Sequence, residues 1–185
     1  DHDYEVICID RERPRKPICR SHVADITNFG HIVELLHGLD AVIHLAAIPS
    51  PWAHPWSQIF GVNMTSHFNV LQACAILGIR KVVTASSIQV ISQILADQPI
   101  WPSYFPVDEE HPMIPANAYG LTKQLGEEIN QYFARQKGLQ ALSMRFTLVV
   151  DDLARVVEHS ERMGSIPDLW SYVDIRDAAQ ACRLG

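Results

Sequence analysis

The chain has 185 residues, of which 48% are hydrophobic and 19% are charged, so it can form one domain with a sizeable core. Its formal net charge of −6 at pH 7 argues against nucleic acid or an anionic membrane surface as a partner. The sequence contains no apolar run of about 18 residues, so it predicts no membrane-spanning helix.

Apolar runs and helical periodicity alternate along the chain, in the pattern typical of a sheet flanked by helices. The predicted strands lie near residues 5–10, 41–47, 80–86 and 140–146. The predicted helices lie near residues 28–37, 57–77, 116–137 and 151–163, and a last helix begins at about residue 175. Strands that alternate with helices pair in parallel through right-handed crossovers. The expected fold class is therefore α/β, with a doubly wound parallel sheet.

The first predicted strand ends in a carboxylate, Asp10, which is followed by Arg11. An acid at this position can bond the adenosine ribose of a dinucleotide, or it can simply open the turn that follows. The carboxylate would repel a 2′-phosphate and favours NAD, while the adjacent Arg11 leaves NADP open. Asp25, in the segment Val23-Ala24-Asp25-Ile26-Thr27, could initiate the next helix.

Two later strands end in residues suited to a ligand crevice. The strand over 41–47 closes in Leu45-Ala46-Ala47, whose small residues let a cofactor approach. The run Val82-Val83-Thr84-Ala85-Ser86-Ser87 ends in hydroxyls. In open α/β sheets, ligands bind beyond the carboxyl ends of the strands, so Ser87 is placed to bond a substrate carbonyl. Ser86 is interpreted as support at the end of the strand.

Tyr119 and Lys123 are four residues apart in a predicted helix and therefore share one face. An ordinary tyrosine titrates near ~10 and is a poor base at neutral pH. A fixed cation next to the phenol would lower its pKa and make it a usable proton acceptor. The spacing alone is weak evidence, because such a pair is usually a solvated helix face.

The segment 92–116 is rich in proline and aromatic residues and carries little helical or strand pattern. Long irregular stretches inside compact domains are usually functional. Because this segment leads into the helix with Tyr119, it is expected to form one wall of a substrate pocket.

The nine histidines and four cysteines do not form a recognisable metal motif. Neither His-Glu-x-x-His nor paired Cys/His spacing occurs, so no metal site is predicted. His44, inside an apolar run, is interpreted as an interior histidine. The scattered cysteines favour reduced thiols and a cytoplasmic protein.

In combination, these motifs resemble the extended short-chain dehydrogenase/reductase family, the NAD-dependent epimerases and dehydratases. The resemblance covers nearly the whole chain, and the matching pieces are His44-Leu45-Ala46-Ala47, Asn63, residues 85–90, residues 106–112, residues 119–123 with Glu127, Met144-Arg145-Phe146 and Trp170-Ser171-Tyr172-Val173-Asp174. Residues 88 and 89 are Ile and Gln where uronate dehydrogenases usually have Asn-His, so the substrate is left open.

The resemblance implies a Rossmann-like domain and assigns roles to matching residues. The catalytic set that it implies is Ser87, Tyr119 and Lys123, with Asn63 positioning the lysine. The cofactor-binding residues that it implies, with Asp25 placed at the adenine, are Asp10, Arg11, Asp25, Ile26, Leu45, Ala46, Ala47, Tyr119 and Lys123. Resemblance alone suggests a role at the pocket for Arg145, which could otherwise be a surface charge.

One family feature does not appear in this sequence. The family opens with a strand and a Gly-x-x-Gly-x-x-Gly turn that cradles the pyrophosphate, and the nine glycines of this chain do not form that motif. The first strand lies between the second and the fourth in a doubly wound sheet, so without it the sheet should be split. We therefore expect residues 1–185 to be an incomplete dinucleotide-binding domain that lacks most of its C-terminal substrate lobe.

The expected function is that of an NAD(P)-dependent epimerase or dehydrogenase for a sugar or nucleotide sugar. The alternative is a non-catalytic dinucleotide-binding sensor or scaffold on the same fold. Apolar residues cover much of the helices over 57–77 and 116–137, which predicts a homodimer through a four-helix contact.

Overall fold

The computed structural model describes residues 4–91, 102–152, 154, 156–157 and 172–185 of the chain. Strands and helices alternate through most of this range. In chain order the elements are β1 (Ile7–Asp10), β2 (Arg20–Val23), α1 (Phe29–Leu36), β3 (Ala41–His44), α2 (Trp56–Leu77), β4 (Lys81–Ser87), a 3₁₀ turn (Ile88–Val90), α3 (Ala118–Lys137), β5 (Gln140–Phe146), β6 (Leu148–Val150), β7 (Tyr172–Asp174) and α4 (Ile175–Leu184).

All strand pairs among the described residues are parallel: β1 with β2, β3 with β4, β4 with β5, and β6 with β7. In the central sheet Ile43 lies opposite Val83, and Val83 lies opposite Leu142, so the carboxyl ends of β3, β4 and β5 meet at one edge. The expected α/β fold with a parallel sheet is confirmed. The predicted split is also present, since within the described residues no strand joins β1 to β3 by hydrogen bonds.

Side-chain caps and glycines define the ends of the helices. The Asn28 side chain accepts from the His31 amide at the start of α1, and the Asn117 side chain accepts from the Gly120 amide at the start of α3. Helix α2 ends at Gly78, whose φ of 76° belongs to the left-handed region that glycine adopts readily.

The main core lies between the β3–β4–β5 sheet and helices α1, α2 and α3. Its buried members are Ile32, Leu36, Val70, Leu71, Ala73, Cys74, Ile79, Val82, Phe133 and Leu139. Burying a side chain of this kind contributes roughly 1.5–3 kcal/mol. Helix α2 packs on one side against α1 and on the other against α3. Because α3 follows β4 and runs back along it, the first turns of α3 lie at the carboxyl edge of the sheet.

The structure corrects the predicted elements at three strands. Strands β2, β6 and β7 were not predicted. The sequence of β2, Arg20-Ser21-His22-Val23, is polar, and β6 and β7 have only three residues each. β2 therefore has no apolar run, and β6 and β7 are shorter than the roughly four to eight residues over which a strand pattern is recognised. Most of the predicted helix over 151–163, and residues 92–101 of the proline-rich segment, lie outside the described residues. The described helices include none that could span a membrane.

Candidate active site

Ser87 and Tyr119 meet where β4 ends and α3 begins. Ser87 is the last residue of β4, is 7% exposed, and its Oγ accepts from the Gln89 amide at 3.2 Å. Burial raises the pKa of Tyr119, and a hydrogen bond between the two hydroxyls acts in the opposite direction. The structure therefore brings together the serine and the tyrosine of the expected catalytic set.

Lys123 occupies the same face of α3 one turn further on. Its ammonium lies 5.5 Å from the centroid of the Tyr119 ring and donates to the Ala85 carbonyl at 2.6 Å. Burial lowers the pKa of Lys123 to about 8. The expectation that this ammonium lowers the pKa of Tyr119 is wrong for this geometry, because burial dominates at the phenol and Lys123 is bonded to the backbone of β4 instead.

Asn63 links α2, the segment after β3 and α3. Its Oδ1 accepts from the Ile48 amide at 2.7 Å, and its Nδ2 donates to the Ile48 carbonyl and to Thr122 Oγ1, both at 3.2 Å. The Thr122 hydroxyl in turn donates to the Tyr119 carbonyl at 2.7 Å. The Asn63 side chain is therefore linked through Thr122 to the backbone of Tyr119, so it can position the first turn of α3.

The start of α3 is pressed against the 3₁₀ turn that follows Ser87. A Cβ added at Gly120 would lie 2.6 Å from the Gln89 carbonyl oxygen, so only glycine fits this close approach. The Ile114 amide donates to the Val90 carbonyl at 2.8 Å. These contacts fix residue 119 relative to Ser87.

Arg145, Glu127 and Ser86 form a cluster behind the hydroxyl pair, in which Glu127 and Ser86 are buried and Arg145 is half-buried. Arg145 bonds both carboxylate oxygens of Glu127, at 3.0 and 2.9 Å, and its Nη1 donates to the Glu109 carbonyl at 3.3 Å. Ser86 Oγ donates to the same carboxylate. Ser86 thus supports the strand end, as predicted. Arg145 is not an isolated surface charge, because it joins β5, α3 and the loop before α3, and its role at the pocket stays a prediction.

The acids predicted at the cofactor's adenosine end follow two adjacent strands. Asp10 ends β1 and Asp25 follows β2, and the Ala24 amide donates to the Asp10 carbonyl at 2.9 Å. Asp10 is exposed, and its Oδ1 accepts from the Glu12 amide at 3.1 Å. Hydrogen bonds from the Thr27 hydroxyl and amide lower the pKa of Asp25. Asp25 therefore closes a turn before α1, whereas the N-cap is Asn28.

The remaining residues predicted to bind the cofactor are less constrained. Arg11 is exposed and lies 3.7 Å from Glu12, and Ile26 is half-buried. Leu45, which is 58% exposed, opens the segment after β3 together with Ala46 and Ala47. In the described part of the chain no group of three or more His, Cys, Asp or Glu side chains could hold a metal ion.

Sequence reasoning missed a buried polar row on α3. Thr122 and Asn130 are 4% and 2% exposed, and Gly126 lies between them under the His67 ring. The signal was visible as small and polar residues spaced four apart in a helix, which mark a face packed on polar partners.

A family model described as the NAD dependent epimerase/dehydratase family matches residues 1–184. The L-arabinose 1-dehydrogenase (NAD(P)(+)) of Haloferax volcanii is 30% identical over 171 residues, covering 89% of this chain and 65% of that protein. The uronate dehydrogenase of Pseudomonas putida is 26% identical over 145 residues, covering 76% of this chain and 51% of that protein. The chain thus spans about half to two thirds of the length of these relatives.

Solved structures show the same architecture. A short-chain dehydrogenase/reductase superfamily protein from Agrobacterium tumefaciens with bound NAD superimposes with a TM-score of 0.69 at 28% identity, over 85% of this chain and 51% of that one. A UDP-galactose 4-epimerase superimposes with a TM-score of 0.73 at 27% identity, over 98% of this chain and 63% of that one.

Proposed function

The chain belongs to the NAD-dependent epimerase/dehydratase family, which confirms the resemblance, and we propose that it forms the dinucleotide-binding part of an NAD(P)-dependent sugar or nucleotide-sugar epimerase or dehydrogenase. The observation that carries this proposal is the buried contact between the hydroxyls of Ser87 and Tyr119, with Lys123 one helical turn away. A solvated helix face would place neither a serine nor a buried amine beside the phenol.

In this proposal the Tyr119 phenolate accepts the proton of a substrate hydroxyl, and the Ser87 hydroxyl donates to the same reacting oxygen. Lys123 would hold the cofactor ribose through its ammonium. A bound NAD would supply the hydride acceptor for the carbon that carries the reacting hydroxyl. Because burial raises the pKa of Tyr119, the phenolate fraction increases with pH, so the rate of sugar oxidation should rise through the alkaline range.

The residues present fit a dinucleotide at its two ends. Asp10 and Asp25 lie together at the carboxyl ends of β1 and β2, where carboxylates bond an adenosine. The small Ala46 and Ala47 follow β3 and leave room for close approach. Asp10 favours NAD, and NADP stays possible because Arg11 is exposed beside it.

A sugar substrate is supported by the relatives, whose names specify an arabinose and a uronate dehydrogenase.

We also propose a cytoplasmic homodimer. The described cysteines are free thiols, and burial raises the pKa of the Cys74 thiol to about 12, which keeps it protonated. Exposed apolar side chains on α2 and α3, including Phe60, Phe68 and Tyr132, provide the surface for a helical contact.

The test is turnover and NAD binding by the whole protein that carries this chain, with Tyr119→Phe as the variant and Tyr132→Phe as the matched control. Tyr132 lies on the same helix but is 47% exposed. We expect Tyr119→Phe to lower kcat by roughly 10²–10⁴-fold while NAD affinity stays within a few-fold, and Tyr132→Phe to change neither. Cofactor reduction would be followed at neutral and alkaline pH with aldoses, uronic acids and UDP-sugars.

The same measurements separate the alternative function. A protein that binds NAD but turns over none of these sugars, with or without Tyr119, would be a nucleotide sensor. A Tyr119→Phe variant that keeps most of its activity would refute the proposed proton transfer.

A further inference from the structure

Beneath Lys123, a network of buried and half-buried polar side chains joins two helices to two strands. His67 on α2 lies 2.9 Å from Asn130 Oδ1 on α3, measured from its Nε2. The Asn130 amide nitrogen donates to Thr84 Oγ1 on β4 at 2.7 Å and to Ser143 Oγ on β5 at 2.8 Å. Thr84 then donates to the Leu142 carbonyl at 3.3 Å. The described catalytic contacts use none of these groups.

The direction of each hydrogen bond in this network is determined by Asn130. An amide nitrogen has two hydrogens, and both are used by Thr84 and Ser143, so Oδ1 acts as the acceptor. His67 must therefore donate from Nε2. Burial lowers the pKa of His67 to about 4 and that of His44, whose ring lies 5.3 Å away, to about 3, so both rings are neutral.

The network is in register with the contact that holds Lys123. Asn130 bonds Thr84, and Lys123 bonds the Ala85 carbonyl, so two neighbouring residues of β4 hold two positions of α3 seven residues apart. Gly126 lies between them on the same face. A Cβ added there would lie 3.3 Å from His67 Cε1, so the imidazole packs directly on the backbone of α3.

We propose that His67 is a positioning residue, which through Asn130 holds the Lys123 face of α3 in register with β4. Without its N–H donor, the nearly fully buried Asn130 amide loses a partner and reorients, and its two bonds to the strands change with it. Lys123 then loses its alignment with the Ala85 carbonyl. This inference rests on the proposed function only for the role of Lys123, which is to hold the cofactor ribose.

The test compares His67→Leu with His67→Gln in the whole protein. Glutamine places an amide N–H close to the position of Nε2, whereas leucine fills similar space without a donor. The primary readout is the rate at which an amine-acylating reagent modifies Lys123, measured by peptide mass spectrometry with the exposed Lys137 as the internal reference. It requires no substrate, so it decides the proposal even if the proposed activity is absent.

We expect Lys123 to be acylated at least fivefold faster in His67→Leu and within twofold of the native rate in His67→Gln. If the protein turns over a sugar, kcat and NAD affinity should fall about tenfold or more in the leucine variant and recover in the glutamine variant. Equal acylation rates in all three proteins would overturn the proposal. It would also be overturned if both variants lost stability and Lys123 protection equally, because His67 would then only fill space.

Discussion

At the residue scale, Tyr119 and Lys123 show what spacing can and cannot predict. Four residues on a helix place the ammonium near the ring, and the distance to the ring centroid is 5.5 Å. Whether the pKa of the phenol is raised or lowered depends on its surroundings in the fold, which the spacing of two residues does not specify. Burial raises the pKa of Tyr119, and the lysine donates to the Ala85 carbonyl.

Lys123 should therefore make the fold less stable at neutral pH. Burial lowers its pKa from 10.5 to about 8, so between these values the unfolded chain binds the proton that the folded chain has lost. Stability rises with pH across this window, and below about pH 8 the penalty is fully present. At ~1.4 kcal/mol for each tenfold change in the ionisation constant, the penalty is on the order of 3 kcal/mol.

Lys123→Met should accordingly raise the free energy of unfolding at pH 7 by a net ~1–2 kcal/mol, after the lost hydrogen bond to Ala85 is subtracted. The melting temperature should rise with it. The advantage should disappear above about pH 10.5, where both states of the native protein are neutral at this position. Thermal unfolding at several pH values measures it, with the exposed Lys81→Met as the control. A lower melting temperature for Lys123→Met at pH 7 would contradict the assigned burial.

At the element scale, two ion pairs of similar length differ in their surroundings. Arg145 and Glu127 join β5 to α3 at 2.9 Å, with side chains 22% and 10% exposed. Arg176 and Asp174 lie at the start of α4 at 2.7 Å, with side chains 87% and 33% exposed. Removing one partner of a buried pair leaves an uncompensated charge, whereas exposed pairs contribute little.

Arg145→Met should destabilise the protein by about 3 kcal/mol, because among the described contacts the buried Glu127 carboxylate then keeps the hydrogen bond from Ser86 but no cation. Arg176→Met should change stability by less than ~1 kcal/mol. Denaturant unfolding of both variants measures the contrast. The double variant Arg145→Met with Glu127→Met should regain part of the loss, and strictly additive losses would argue against the pair.

At the scale of the whole molecule, α2 and α3 pack side by side and expose apolar groups outward. Phe60 and Phe68 on α2 are each 41% exposed, and Tyr132 on α3 is 47% exposed. Phe68 also contacts Phe133 in the core, edge to face at 5.3 Å. Exposed aromatic groups on paired helices suit a self-complementary contact between two copies.

Phe60→Glu and Phe68→Glu should convert the proposed dimer of the whole protein to a monomer at tens of micromolar. Sedimentation measures the mass, and Ile18→Glu is the control, since Ile18 is 98% exposed and lies between β1 and β2. Melting curves show whether the Phe68→Glu variant still folds, because Phe68 also contacts the core. A native protein that sediments as a monomer would refute the dimer.

The sequence by itself determined the fold class and the strands β1, β3, β4 and β5, and it predicted Ser87, Tyr119 and Lys123 as the catalytic set. Those features depend on local patterns: apolar runs, helical spacing, and hydroxyls or acids at strand ends. The last helix, expected from about residue 175, begins at Ile175 for the same kind of local reason, since the Asp174 side chain accepts from the Arg176 amide.

Only the tertiary structure decided the direction of the Tyr119 pKa, the partner of Arg145 and the place of His67. Each depends on groups that are distant in the chain: Glu127 lies 18 residues from Arg145, and Asn130 lies 63 residues from His67. Burial and hydrogen-bond direction arise from packing of α3 against β4 and β5, and no local pattern contains them. That is the physical reason why the sequence predicted Ser87, Tyr119 and Lys123 as catalytic groups but did not predict the hydrogen-bond network behind them.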